Sequence, residues 1–310
     1  MKIKINKLYR LINEIGLFET ISLLYLKMFN KKKYDLKILE KIKNENLKIL
    51  KYYSEQENKI SDVIQNTDYI WFFWWQGEES MPSIIKKCYE SIKKHSGKHE
   101  IIFLSRDNFN NYAHFPDYVL NKFLNGKYSI THFSDILRMN LLSKKGGIWI
   151  DATIYLTDDL TVEIDKGYSI FTRKSKNKTK YISNGMWSTY FIATSKNNLL
   201  STACYDILCN YWKNHDFMIE YLLLDYIIFL LYTEIGDINK QINYIPYNNE
   251  GIHNLECVLG NDFSIEEYDD ICEASYIHKL NWKNKYPIQN KNKKLTYYGY
   301  ILSGCKEERQ

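Results

Sequence analysis

The sequence predicts an α/β protein: a mostly parallel β-sheet flanked by helices, preceded by a helical N-terminal extension. Three observations predict it. Short apolar runs rich in β-formers, YIWFFWW (69–75), EIIFL (100–104) and IWI (148–150), alternate with segments of helical periodicity, the pattern of parallel sheets. Pro and Gly fall at the edges of those segments rather than inside them. The first 60 residues, by contrast, hold no Pro and no β-rich run.

Each element can be justified in order. Within residues 5–60, Leu8, Leu11, Ile12, Ile15 and Leu17 recur at helical spacing, as do Ile38, Ile42, Leu47 and Leu50, which predicts two or three helices. After Asp68 the pattern changes to a strand. The loop QGEESMP follows, and Pro82 opens a helix through His95. EIIFL is a second strand. FPDYVLNKFLNG is a helix with Pro116 near its start and Gly126 beyond its end. HFSDILRMNLLSKKGG is another, with Ser134 as the expected N-cap, Lys144 and Lys145 in the last turn and Gly146 as the stop. IWI then enters the sheet. YSIFT (168–172) and TYFIAT (189–194) are further strands, helices are expected at about 199–213 and 217–235, and the chain from Asn239 onward reads as loop-rich with a β-like piece, ASYIHKL. The expected division is 1–64 for the helical extension and 65–310 for the α/β domain.

Composition narrows the function classes. The chain has 310 residues, 45% hydrophobic and 25% charged, enough for a sizeable core in one or two domains. Net charge is +5, unevenly placed: residues 1–60 carry 14 Lys or Arg against 7 Asp or Glu, 14 − 7 = +7, which leaves 5 − 7 = −2 for the rest. That basic stretch is either a solvated helical face or a patch that meets anionic lipid. No recognised nucleic-acid motif accompanies it, so no nucleic-acid partner is expected. The six cysteines form no CxxC pair and no zinc spacing, as in a reducing compartment. No secretory signal is visible. IGLFETISLLYLKMF contains Glu19 and Lys27 and is too short to span a bilayer. The expected location is cytoplasmic, peripheral to the inner face of the membrane through the N-terminal helices.

Ligands of open α/β sheets bind beyond the carboxyl ends of the strands. Asp151 ends the run GGIWI, and Gln76 follows the first strand, so both belong to that edge. An unpaired carboxylate there needs a cation or a metal. Asp135 and Arg138 are three apart and share a helix face, as a local ion pair or as part of the same site. His278 and Lys279 are adjacent donors late in the chain, able to supply positive charge to a diphosphate. Asp225 lies inside the apolar run YLLLDYIIFLL, either as a helix-end or solvent-facing acid or as an acid aimed at a ligand. Trp187 is a core residue or a stacking platform for a sugar. Asp158, Asp159, Asp269 and Asp270 read as surface acids.

The segment IWFFWWQGEESMPSIIKKCYESIKKH, followed by EIIFLSRDNFNNY, FPDYVLNKF and HFSDILRMNLLSKKGGIWIDATIYL, resembles the bacterial capsular polysaccharide synthesis proteins. These are similar in turn to family-32 sugar transferases with the glycosyltransferase-A fold. The likeness is close over about 69–160 and looser to about 285. It rests on WxQG, SDxxRxxxL and GGxWxDAT occurring together in this order. The resemblance implies that Trp75 and Gln76 line a nucleotide pocket and that Ser134, Asp135 and Arg138 hold the ribose and donor sugar. It implies that Asp151 is the first acid of an Asp-x-Asp motif binding Mn²⁺ or Mg²⁺ with the diphosphate, and that His278 is a second metal or diphosphate ligand. Where the broader superfamily has the second Asp, this chain has Thr153. Mg²⁺ keeps several waters and is often held by one or two carboxylates plus substrate phosphates, so one acid suffices if the nucleotide completes the shell.

The function implied is a metal-dependent hexosyltransferase. It would use a UDP-sugar donor and a glycan acceptor of the lipid-linked kind and retain anomeric configuration. Asp151 and Asp135, with Asp225 from its place in the apolar run, are the expected catalytic acids. The alternative is a non-catalytic binder of sugar nucleotide or glycan that scaffolds an assembly complex. A different α/β nucleotide enzyme would need a glycine-rich phosphate loop, and neither GxGxxG nor GxxxxGK[ST] occurs.

Overall fold

The computed structural model describes residues 2–56, 69–160 and 170–304, with side chains described from residue 8. The expected boundary at residue 64, the first two residues of YSIFT and Cys305 lie outside the described residues. Gly16, Asn30 and Asn46 break the N-terminal run into four helices, α1 (Lys2–Ile15), α2 (Leu17–Phe29), α3 (Lys31–Glu45) and α4 (Leu47–Ser54). Asn30 caps α3 by accepting the Lys33 N–H, satisfying one of the donors a helix start leaves open.

The central sheet has five strands: β1 (Tyr69–Phe73), β2 (Glu100–Leu104), β3 (Gly147–Ile150), β5 (Ile170–Thr172) and β6 (Phe191–Thr194), in the order β2-β1-β3-β6-β5. β1 runs parallel to both β2 and β3, while β6 is antiparallel to its neighbours β3 and β5. The sheet is therefore mostly parallel, with one reversed strand. A separate antiparallel pair joins β4 (Ile154–Leu156) to β7 (Ile277–Lys279).

Alternation along the strands divides the core. Trp71, Phe73, Trp149 and Ile192 join the apolar cluster on one face, and Ile70, Phe72, Ile148, Ile150, Phe191 and Ala193 join the cluster on the other. The first face is covered by α6 (Asp117–Leu124), α7 (Ile130–Lys145), α8 (Leu199–Asn214), α9 (Leu223–Glu234) and α10 (Gly236–Tyr244). The second is covered by α5 (Ser83–His95), α11 (Asn254–Val258), α12 (Ile265–Ala274) and α13 (Tyr297–Ser303).

The N-terminal helices belong to the first cluster. Tyr34, Ile38, Ile42, Leu50 and Tyr53 are buried in it with residues of α8 and α9. Polar contacts pin the same interface. Glu220 accepts from Lys27 at 2.6 Å and from the Tyr34 hydroxyl. His215 sits between Glu14 at 2.6 Å and Glu45 at 2.8 Å. Burial opposes charge on that imidazole, but the hydrogen bonds and charges of Glu45 and Glu14 outweigh it and raise its pKa.

Three expectations are corrected. The helix carrying Asp135 starts at Ile130, not at Ser134, because Ser129 caps it by accepting from the His132 N–H. Ser134 lies one turn inside, its hydroxyl donating to the Thr131 carbonyl. The helix expected at 217–235 spans Leu223–Glu234; the residues before it turn so that Glu220 meets α2 and α3. The chain after Asn239 is richer in helix than expected, since α10 to α13 are short and their apolar periodicity is spread over few turns. The described cysteines are free thiols.

The Gly146–Gly147 pair is required by close approach. Both residues have positive φ, +72° and +101°. A Cβ on Gly146 would lie 2.6 Å from the Lys196 nitrogen, and one on Gly147 2.7 Å from the Tyr69 carbonyl oxygen. The turn returns α7 directly into β3, and the Gly146 carbonyl accepts from Trp71 Nε1 at 2.8 Å. Gly147→Ala combines backbone strain with overpacking, so it should destabilise the fold by about 2–5 kcal/mol. An unchanged urea midpoint would refute that reading of the turn.

Candidate active site

The register of β1 on β3 sets Phe72 beside Ile150, so Asp151 and the residues after Phe73 emerge at one carboxyl edge. Trp149 and Asp151, two apart, share a face, and that face meets α7. The Asp151 carboxylate is held by three donors. Oδ1 accepts from Trp149 Nε1 at 2.8 Å and from an Arg138 guanidinium nitrogen at 3.1 Å. Oδ2 accepts from Lys279 Nζ at 3.0 Å. About 29% of the side chain stays accessible, so a ligand can reach it. Burial alone would raise the Asp151 pKa. The charges of Lys279 and Arg138, with the hydrogen bonds from Trp149 and Lys279, overcome that and bring it down to about 2.

Arg138 is buried and bridges two acids. Its other terminal nitrogen donates to Asp135 at 2.6 Å, and its guanidinium lies 4.8 Å from the Trp149 ring centre. Burial disfavours its charge, but Asp135 and Asp151 more than compensate and its pKa is raised. The helical i,i+3 spacing puts Asp135 and Arg138 together, and the glycine turn puts Arg138 under Asp151. His132 adds a third contact: its Nε2 accepts from Trp212 Nε1 at 2.8 Å, so its proton is on Nδ1, 3.6 Å from Asp135.

Asp225, in the first turn of α9, completes the group. Its Oδ1 accepts from Trp187 Nε1 at 3.0 Å. Burial raises its pKa, the Trp187 hydrogen bond and Arg138 lower it, the charge of Asp135 raises it, and the balance is about 6. Trp187 itself is a core residue, as the blander reading of the sequence had it.

His278 and Lys279 part company. They are neighbours on β7, so they face opposite sides. Lys279 reaches Asp151, and its ammonium also lies 4.9 Å from the Tyr190 ring centre. His278 pairs with Tyr155, is fully buried, and has Nε2 3.3 Å from the Thr157 hydroxyl. Burial pulls its pKa down to about 4. Strand alternation thus sets the ring of His278, the expected metal or diphosphate ligand, on the other face of β7 and brings Lys279 to Asp151. Trp75 is half-buried against Phe73, Phe109, Phe123 and Phe133. Gln76 is exposed at the same sheet edge, and Ser134 spends its hydroxyl on its own helix. Trp149 and Tyr190 were not singled out by the sequence. Trp149 could have been, because a Trp two before an acid on a strand shares its face. Tyr190 could not, because its backbone carbonyl meets the Asp151 N–H only across the β3–β6 pairing.

The donor set bears on a metal. Among the described residues, three metal-type ligand atoms converge within 4.8 Å at His95, Asp158 and Asp159, a group that does not include Asp151. At Asp151 the chain offers one carboxylate, with lone-pair capacity left on Oδ2. Two cavities of about 790 and 880 Å³ border Thr157, and neither is lined by Asp151.

The fold is thus an α/β protein whose mixed sheet carries a cluster of partly buried acids and cations at its carboxyl edge. The chain belongs to the capsular polysaccharide synthesis protein family, whose model matches residues 21–301. No curated protein matches it in sequence. Among solved structures, the PaToxG glycosyltransferase aligns over 79% of this chain and 99% of its own, at 16% identity and a TM-score of 0.42, a likeness too distant to argue from. No described helix is long and apolar enough to cross a membrane.

Proposed function

We propose that the protein is a glycosyltransferase of glycosyltransferase-A type that transfers a hexose from a UDP-sugar to a glycan acceptor in capsular or other surface polysaccharide synthesis. The observation that carries this reading is the cluster itself: Asp151 at the carboxyl edge held by Trp149, Arg138 and Lys279, with Asp135 on the other terminal nitrogen of Arg138. Within it Asp151 is held down at about 2 and Asp225 pushed up to about 6. Environments that push two carboxyl groups apart in this way separate a permanent anion from a group able to move a proton. Family membership supports the process, and the resemblance of the GGxWxDAT segment supports the reaction.

In such a transfer the bond from the sugar C1 to the diphosphate oxygen breaks, and its electron pair stays on the diphosphate. The acceptor oxygen bonds to C1 and gives up its proton. Charge develops on the leaving group, and aiming fixed positive charge at it is the largest available gain. Lys279 spends one hydrogen bond on Asp151, and its ammonium has further donors for diphosphate oxygens. Arg138 is buried and gives one hydrogen bond each to Asp135 and Asp151, so in this reading it positions the acid. Asp225 is suited to accept the acceptor's proton or to face the positive sugar ring. A divalent ion, Mn²⁺ or Mg²⁺, would be held by Asp151 once a diphosphate supplies further oxygens, and it would add positive charge at the leaving group.

One carboxylate is a weak metal site alone, so nucleotide and ion should bind together. Calorimetry should give UDP an affinity at least about tenfold higher with Mn²⁺ or Mg²⁺ than in chelator. A panel of UDP- and GDP-sugars should then show turnover of a UDP-hexose, and NMR of the product reads whether configuration is retained. Equal affinity in chelator would assign the diphosphate to Lys279 and the protein alone. Binding of the whole panel with neither transfer nor hydrolysis would favour the scaffold reading.

A further inference from the structure

The N-terminal helices carry a surface that the catalytic reading does not use. On α2, Leu17, Phe18, Ile21, Tyr25, Met28 and Phe29 are all exposed, Phe18 to 89%, Met28 to 76% and Phe29 to 68%. At 3.6 residues per turn they fall within an arc of roughly 120°. The opposite side of the helix is already satisfied: Thr20 and Leu23 are buried, Lys27 pairs with Glu220, and Glu19 pairs with Lys37. Leu8 and Tyr9 of α1 are exposed as well. A solvent-facing stripe of this kind is the reverse of what a surface helix normally presents.

Charge indicates what covers it. The stripe ends at Asn30, and Lys31, Lys32 and Lys33 follow at once, all exposed. Lys31 pairs with Asp35, while Lys32 and Lys33 make no ion pair among the described residues. Arg10 is exposed on α1, and residues 1–60 carry an excess of +7 by the count above. An apolar helical face edged by lysines matches a bilayer surface bearing anionic headgroups, where the helix lies in the interface plane. Thirteen residues are too few to span a bilayer.

We propose that the exposed face of α2, with the lysines that open α3, docks the protein on an anionic lipid surface. Because α3 and α4 share the core with α8 and α9, and Glu220 and His215 tie the N-terminal helices to that body, docking here would hold the acid cluster at a fixed orientation to the membrane.

The test is flotation of the intact protein with vesicles of phosphatidylcholine alone or with added phosphatidylglycerol, at low and high salt. Binding should require the anionic lipid and weaken in high salt, as the Debye length falls from ~10 Å at 0.1 M to ~3 Å at 1 M. Phe18→Glu with Met28→Glu changes only exposed side chains, so circular dichroism and melting should be unchanged while vesicle affinity falls about tenfold or more. Lys32→Glu with Lys33→Glu should lower affinity and flatten the salt response. Failure of the intact protein to float at low salt would overturn the proposal. Flotation indifferent to the Phe18 and Met28 changes would do the same. So would light scattering that shows a dimer, broken by those changes, with no vesicle binding.

Discussion

Asp151→Asn should reduce sugar transfer by at least ~10³-fold, the scale of losing an electrostatic contact to a developing charge. The change keeps the shape and one acceptor oxygen, so Trp149 or Arg138 retains a partner. It removes the charge that Arg138 and Lys279 face, and with it the one carboxylate available to a divalent ion at this edge. Stability should fall as well. The folded pKa of about 2 lies below the ordinary 3.8, so the ionised acid stabilises the fold above pH 3.8, and that contribution is lost as pH falls through about 2. The shift corresponds to about 2 kcal/mol, which the variant should lack at pH 7. A variant that is folded by circular dichroism and turns over near the wild-type rate would remove Asp151 from the reaction.

Much of this cluster was legible in the sequence because it is local. Asp135 and Arg138 are joined by helical spacing, and Arg138 and Asp151 by a turn that only two glycines can make. The parts that were not legible come from pairings between distant segments. Whether His278 or Lys279 reaches Asp151 depends on the register of a three-residue strand, and a slip of one residue exchanges them. Composition does not specify that register. The fold class followed from the alternation of β-rich runs and helical periodicity. The reversal of β6 did not, because a short fully buried strand reads the same in either direction. The N-terminal helices were visible by periodicity, whereas their ties to the 215–220 segment rest on Glu14, Glu45, Glu220 and His215, ordinary polar residues until the fold unites them. Ser134 was displaced by Ser129 as the cap since both precede apolar periodic residues, and only the backbone decides between them.

Asp225→Asn should separate stability from activity in the opposite sense. Asp225 is pushed up to about 6 by burial, aided by the charge of Asp135 and opposed by the Trp187 hydrogen bond and Arg138. A carboxyl whose folded pKa exceeds its unfolded value stabilises the fold when protonated. That contribution is fully present below pH 3.8 and is lost as pH rises through about 6, so at pH 7–8 the ionised group is a net burden. Asparagine is neutral, has nearly the same volume, and offers Trp187 Nε1 an oxygen. The variant should therefore be more stable than the wild type at pH 8, by up to about 3 kcal/mol from a shift of roughly two units. The two proteins should converge near pH 4. If Asp225 takes the acceptor's proton, the same variant should lose about 10²–10⁴ in turnover. The wild-type rate should rise with pH through a limb near 6 that the variant lacks. Urea denaturation at pH 4, 6 and 8, alongside a pH–rate profile, reads both effects. A gain in stability with unchanged turnover would make Asp225 a buried acid without a role in the chemistry. A loss of stability at pH 8 would contradict the origin assigned to its raised pKa, because it would mean that the charge is better compensated in the fold than Trp187 and Arg138 alone provide.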